Sequence, residues 1–365
     1  MTRREREILN IIIDNPLISQ GELADKLGIA RSSIAVHISN LMKQGYIVGK
    51  GYITRTNPYV VVVGGLNIDI VGSPHKKIIH RDSNPGKVTR NLGGVGRNIA
   101  HNICLLGIDV RLLTAFGDDL HAADIAASCG NLGIDISNAL QIPGEATSTY
   151  LCVNDSNGDM AVGISDMDIY KYVTPEYLSS KQKQLEQAHV IIVDTNIPEE
   201  SINWICNNCS APVFVDPVST TKALKIKKCL GKINTLKPNR IEAEILSGVK
   251  INDNRSLDQA VDALLSTGLE RVFISLGADG VYAADHNERI KIPCYKTKYV
   301  SMTGCGDAFM GGIVWAYLQG SKLREAALAG NAAASLSIES KENVNPVLDE
   351  DLLRTRINCF YSKIA

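Results

Sequence analysis

The sequence predicts an α/β fold built on a parallel sheet and preceded by a small helical unit. Three observations carry that reading. Pro58-Tyr-Val-Val-Val-Val-Gly-Gly65 is a continuous apolar run ending in glycines, the pattern of a strand buried on both faces. Two glycine turns open helices, Gly93-Gly94 ahead of Asn98 and Gly304-Cys305-Gly306 ahead of Asp307. Residues 5–44, by contrast, carry helical spacing with no strand-like run.

A chain of 365 residues, 45% hydrophobic and 21% charged, fits two globular units with one clearly larger. The net charge of −1 gives no global attraction to nucleic acid or membrane, but it is unevenly spread. Residues 1–56 hold eight Lys/Arg against five Asp/Glu, and the remainder is mildly acidic. Nine scattered cysteines, a Met-Thr-Arg-Arg-Glu-Arg start and no apolar run near 18 residues predict a reducing, cytoplasmic setting with no membrane partner. Cys206 and Cys209 form a lone C-x-x-C without a second ligand pair, so neither metal nor redox use is expected of them.

Taken in order, residues 5–15 read as a helix with Ile8, Leu9, Ile12 and Ile13 inward, ended by Pro16. Ser19 and Glu22 form a capping box that opens a second helix running to Gly28. A third, Arg31 to Gln44, is expected to bury Ile34, Ile38, Leu41 and Met42. Tyr46 to Thr54 then fits a hairpin wing with Lys50 near its tip. Helix, short glycine-containing turn, helix is the plan in which the second helix enters the major groove of DNA. The segment resembles the winged helix-turn-helix of bacterial transcription regulators. Double-stranded DNA is therefore the expected partner of residues 1–56, through Arg31, Ser32, Ser33, His37, Lys43 and Lys50; the alternative is a winged helix used only for dimerisation or packing.

In the larger unit, ligands of a parallel sheet gather at the carboxyl ends of its strands, which places Asn67 and Asp69 where a sugar could be met. Gly93 and Gly94 allow close backbone approach, and Asn98 brings a donor and an acceptor suited to hydroxyls. At Gly304-Cys305-Gly306-Asp307, successive amides and the positive end of a helix converge on one spot, with an acid placed to take a proton from an attacking hydroxyl. Alone, that run also fits a tight turn with an N-cap acid.

Asn67-x-Asp69, Gly93-Gly94-x-x-x-Asn98, Lys237-Pro-Asn239-x-x-Glu242 and Thr303-Gly-Cys-Gly-Asp307 occur in the order and spacing of the ribokinase-like, or PfkB, carbohydrate kinases. The resemblance covers about residues 58–345. It implies a doubly wound, mostly parallel sheet with helices on both faces and a small β lid, from segments near 70–92 and 145–168. It implies Asp307 as base with Gly304, Cys305 and Gly306 as anion hole, and sugar contacts at Asn67, Asp69, Gly93, Gly94 and Asn98. It further implies ATP beside Asn239, Ser275, Gly277, Gly280 and Asn331, and Mg²⁺ organised by Asn239 and Glu242, partly through water. Glu242 could otherwise be an ordinary first-turn acid, and Asn331 a helix-packing polar group. The family often carries Asp where Ser301 stands, in a monovalent-cation site, and loss of that carboxylate puts K⁺ activation in doubt.

Within the family, Asp82-Ser-Asn-Pro-Gly-Lys87, Gly93 to Ala100, Pro143 to Tyr150 and Val215-Asp-Pro-Val-Ser219 resemble bacterial pseudouridine kinases. That implies transfer of the ATP γ-phosphoryl group to the 5′-hydroxyl of pseudouridine. Ser83, Asn84, Lys87, the stretch Thr147 to Tyr150 with Thr149 in it, and Asp166 are candidates to contact the base, although Asp-Ser-Asn-Pro-Gly is also a strong turn sequence. The expected whole is a homodimeric nucleoside kinase joined to a DNA-binding module. The alternatives are a regulator whose kinase fold only senses ligand, or a kinase for another nucleoside or a pentose.

Overall fold

The computed structural model describes residues 1–49, 58–157 and 159–364, with side chains through residue 359. It divides into two compact units, Met1–Pro58 and Tyr59–Ala365.

The first unit contains the helices Arg3–Asp14, Gln20–Leu27 and Arg31–Lys43. Thr2 with Glu5 and Ser19 with Glu22 close reciprocal capping boxes, so the first two helices begin with their leading amides satisfied. Ile8, Ile12, Leu23, Ile34, Ile38 and Leu41 meet in one apolar core. Met42 is not part of it, at 48% exposure. Ile34, Ile38 and Leu41 keep within about 60° of arc, whereas Met42 falls about 80° from Ile34 at 100° per residue. The wing expected over Tyr46 to Thr54, and Lys50 with it, lies largely outside the described residues.

In the second unit a nine-stranded sheet runs, edge to edge, Arg289–Ile292, Val281–Asp285, Arg271–Ser275, Thr235–Leu236, Val213–Asp216, Val190–Asp194, Tyr59–Val63, Asp109–Leu113, Ile134–Asp135. The seven from Arg271–Ser275 onward are parallel, and the two at the other edge are antiparallel. Alternation along Tyr59–Val63 feeds two cores. Val60 and Val62 pack with the helices Val95–Leu105, Cys305–Leu318 and Leu323–Ile338, and Val61 and Val63 with Glu199–Asn208 and Asn254–Leu265 on the other face. Strand order reverses between Tyr59–Val63 and Val190–Asp194, which opens a crevice at the carboxyl ends of the strands.

A separate four-stranded sheet, ordered Gly86–Gly93, Asn67–Pro74, Thr149–Asn154, Met160–Asp166, is built from the two segments expected to form a lid. Its register puts Asn67, Asp69, Asn91 and Tyr150 on one face. The opposite face carries Val88, Val162 and Ile164, all exposed. No helix among the described residues is long and apolar enough to cross a membrane.

Candidate active site

Asp307 lies in the first turn of Cys305–Leu318, a helix that begins after Gly304 at φ 80°. A side chain at Gly304 is sterically excluded, since its Cβ would fall 1.7 Å from the Asn343 carbonyl oxygen. The Cys305 amide donates to the Met302 carbonyl at 3.4 Å, while those of Gly306 and Asp307 have no preceding carbonyl to bond and face the helix N-terminus. Burial also pushes the Cys305 thiol up, so it stays un-ionised.

The Asp307 carboxylate is buried and accepts from Asn98 Nδ2 at 3.0 Å, with no second hydrogen-bond partner among the described residues. Burial pushes its carboxyl up to about 8, reinforced by Asp216 and Asp194 and opposed by Asn98 and Lys237. An acid titrating near the working pH is matched to general-base chemistry.

Asp69 is held differently. Asn67 Nδ2 donates to Oδ1 at 2.6 Å and Asn343 Nδ2 to Oδ2 at 3.1 Å. Burial raises its carboxyl and the two amides work against that rise. Gly93 packs on this carboxylate, and Gly94 at φ 98° brings the Val95–Leu105 helix onto the Gly65 carbonyl, which sets Asn98 against Asp307. Asn343 touches both the Gly304 turn and Asp69, so it links the two acids.

On the other side of Gly306 lies a cavity of about 310 Å³. Asn239, Ser275, Gly277, Gly280 and Asn331 all line it, as do Lys237 and Cys305. Asn331 donates its amide to the Pro293 carbonyl at 2.8 Å, so part of its hydrogen-bonding capacity serves packing. Asn239 and Glu242 form a capping box, each side chain accepting the other's backbone amide at 2.9 Å. Lys237 and Asp216 make a buried ion pair at 3.0 Å, and Lys237 Nζ is 3.3 Å from the position a Cβ on Gly306 would take. Asp216, Glu242 and Asp307 all act electrostatically on Lys237, so three acids surround one ammonium.

Asp216, Glu242 and the Asn239 amide bring hard oxygen donors of the kind a divalent cation takes to the neighbourhood of that ammonium. No three His, Cys, Asp or Glu side chains among the described residues converge to hold an ion directly.

The structure does not bring the expected base contacts together at Asp69. Thr149 and Asp166 pair with each other and with Ile68, and that register puts them on the sheet face opposite Asp69; of the stretch Thr147 to Tyr150, Tyr150 lies on the Asp69 face. Asn84 spends its amide on Ile79 and Asp82 within its own turn, Ser83 is exposed, and Lys87 pairs with Ser73 near the far end of the strand.

In the first unit Arg31, Ser32 and Lys43 are exposed and Ser33 is half-buried. His37 is turned from the exposed face, with Nδ1 4.0 Å from Glu5 Oε1. Val36 and Ser39 share that exposed face and were not expected there.

Comparison with known proteins follows these two units. Residues 57–350 match the pfkB family of carbohydrate kinases, and residues 1–48 match a winged helix-turn-helix DNA-binding family. An uncharacterized sugar kinase of Escherichia coli, YeiI, is 39% identical over 355 residues, 96% of this chain and 98% of that protein. The pseudouridine kinase of Escherichia coli is 39% identical over 296 residues, 80% of this chain and 95% of that protein. Among solved structures, a carbohydrate kinase from Agrobacterium tumefaciens superposes with a TM-score of 0.72 at 28% identity, covering 82% of this chain and 97% of that one. The ribokinase of Thermotoga maritima shares the fold, with a TM-score of 0.75 at 22% identity over 82% and 99% of the two chains.

Proposed function

The chain belongs to the pfkB family of carbohydrate kinases, and from that membership we propose that it transfers the γ-phosphoryl group of ATP to the 5′-hydroxyl of pseudouridine. The observation that carries the reading is the placement of Asp307, buried on Asn98 and next in the chain to Gly306, which lines a cavity together with Lys237. Asp69 and Asn98 hold the ribose. Asp307 takes the 5′-hydroxyl proton as that oxygen bonds to the γ-phosphorus and the bond to the β-phosphate oxygen breaks, leaving ADP. The Gly306 and Asp307 amides and the Lys237 ammonium meet the charge on the transferring group.

Asn239 and Glu242 are the residues that would help to hold Mg²⁺, mostly through water. Bound with ATP, it neutralises charge across the β and γ oxygens. With Ser301 in place of the carboxylate, K⁺ activation is not part of the proposal.

The winged helix is assigned to double-stranded DNA, read by the face carrying Arg31, Ser32 and Lys43. A symmetric operator requires a dimer, and the exposed apolar face with Val88, Val162 and Ile164 is the surface we assign to a second copy. A cytoplasmic location goes with both substrates.

The test is ATP-dependent phosphorylation of pseudouridine, uridine, cytidine, adenosine and ribose by the purified chain. Turnover led by pseudouridine is expected. Nucleoside binding without turnover would move the protein to the ligand-sensing regulators, and turnover of ribose alone would make it a pentose kinase. For DNA, Lys43→Ala should weaken binding to a selected duplex across all sequences and lower the salt slope by about 1.

A further inference from the structure

One cation at the mouth of the crevice is left over by this mechanism. Lys222 is half-buried, and no carboxylate among the described residues lies within ion-pair distance of it. Its Nζ donates to Asn196 Oδ1 at 2.5 Å and, among the described residues, otherwise meets only the Met167 thioether at 3.5 Å, a weak acceptor, while the buried Asp194 carboxylate acts on it from beyond contact. An ammonium brings three donors, and a partly desolvated one that finds one good acceptor is short of partners.

Its position is set by the crevice walls. Asn196 follows Val190–Asp194, the strand at which the sheet order reverses, and its Nδ2 is 2.9 Å from where a Cβ on Gly65 would stand. Gly65 in turn touches the Gly94 turn and leads directly into Asn67 and Asp69. Met167 follows the last residue of the small sheet, so Lys222 is bounded by the strand end on one side and the sheet's root on the other.

The backbone that delivers Lys222 is strained. Val218 has φ 61°, which a β-branched residue rarely adopts, and the Ser219 amide closes a three-residue turn onto the Pro217 carbonyl at 2.6 Å. That turn joins Asp216, the partner of Lys237, to the Ser219-capped turn bearing Lys222. Strain of this kind persists where the surroundings over-determine it, and it clusters at functional sites.

We propose that Lys222, braced by Asn196, donates a hydrogen bond to a carbonyl oxygen of the nucleobase and so selects a nucleoside over a bare pentose. The proposal rests on the nucleoside-kinase reading above. In it Lys222 is a specificity determinant and takes no part in phosphoryl transfer.

The experiment compares pseudouridine with a C-nucleoside that carries a phenyl ring in place of the uracil, on the full chain and on Lys222→Met and Lys222→Arg. The wild-type preference in kcat/KM for pseudouridine over the phenyl compound should fall about 30-fold in Lys222→Met, the size of one lost charge-assisted hydrogen bond. Lys222→Arg, which keeps a cationic donor, should retain most of the preference. Equal losses on both substrates in Lys222→Met, or an unchanged preference, would overturn the proposal. If the wild-type chain phosphorylates ribose and neither nucleoside, the nucleoside reading itself fails and this assignment falls with it.

Discussion

Two carboxylates bridged by Asn343, the buried Asp307 and the half-buried Asp69, are treated in opposite ways. Asp69 has both oxygens held by side-chain amides, from Asn67 and Asn343. Asp307 has one such bond, from Asn98, and burial beside two other acids holds its proton until about pH 8. A carboxylate tied at both oxygens keeps a fixed direction, as binding requires. One with an unclaimed oxygen and a high proton affinity can accept a proton, as catalysis requires. The difference comes from neighbours, since the side chains are identical.

The largest effect that could break this contrast is a split in kinetic parameters. Asp307→Asn should lower kcat about a thousandfold or more with KM for the nucleoside within a few-fold. Wild-type turnover in that variant would remove the base from the scheme. Lys237→Met should lower kcat about a hundredfold, because the transferring group loses a cation and Asp216 is left buried and unpaired. Asp69→Asn should act the other way, raising KM about 30-fold with a smaller change in kcat. Equal kcat losses for Asp69→Asn and Asp307→Asn would show that the two acids do one job.

A thermal measurement sharpens the comparison without any substrate. The unfolded chain releases the Asp307 proton at the ordinary carboxyl value of 3.8, and the native chain only at about 8. Between those limits the native state binds more protons, so stability falls as pH rises through the window and levels off above it. Asp307→Asn has no such slope, so its Tm should overtake that of the wild type progressively from pH 4 to 8. A constant gap would place the raised proton affinity elsewhere. The smallest effect is expected at Asn343→Ala, about tenfold in KM, because it frees one Asp69 oxygen and loosens the Gly304 turn while leaving both acids in place.

Much of this was legible in the sequence because it is local. The Ser19 capping box, the buried Tyr59–Val63 strand and the Gly304–Asp307 turn each follow from a few neighbouring residues. Asn239, Ser275, Gly277, Gly280 and Asn331, which their motifs set together, line one cavity. What was not legible depends on register or on distant pairing. The stretch Thr147 to Tyr150 is marked by its motif, but only the pleat decides that Tyr150 shares the Asp69 face and Thr149 does not. Asn343 meets Asp69 across 274 residues, and no spacing rule marks it. Lys237 stood inside a recognised motif, but its role emerges only once Asp216, from a separate strand, is found beside it. His37 looked like a groove-facing residue until the first helix placed Glu5 next to it.

The unclaimed oxygen of Asp307 has a consequence for timing. Burial pushes the carboxyl up to about 8, so the acid must shed its own proton before it can take one from an acceptor hydroxyl. Lys237 already works against that rise. Positive charge arriving in the cleft therefore arms the base, which ties readiness for chemistry to occupancy.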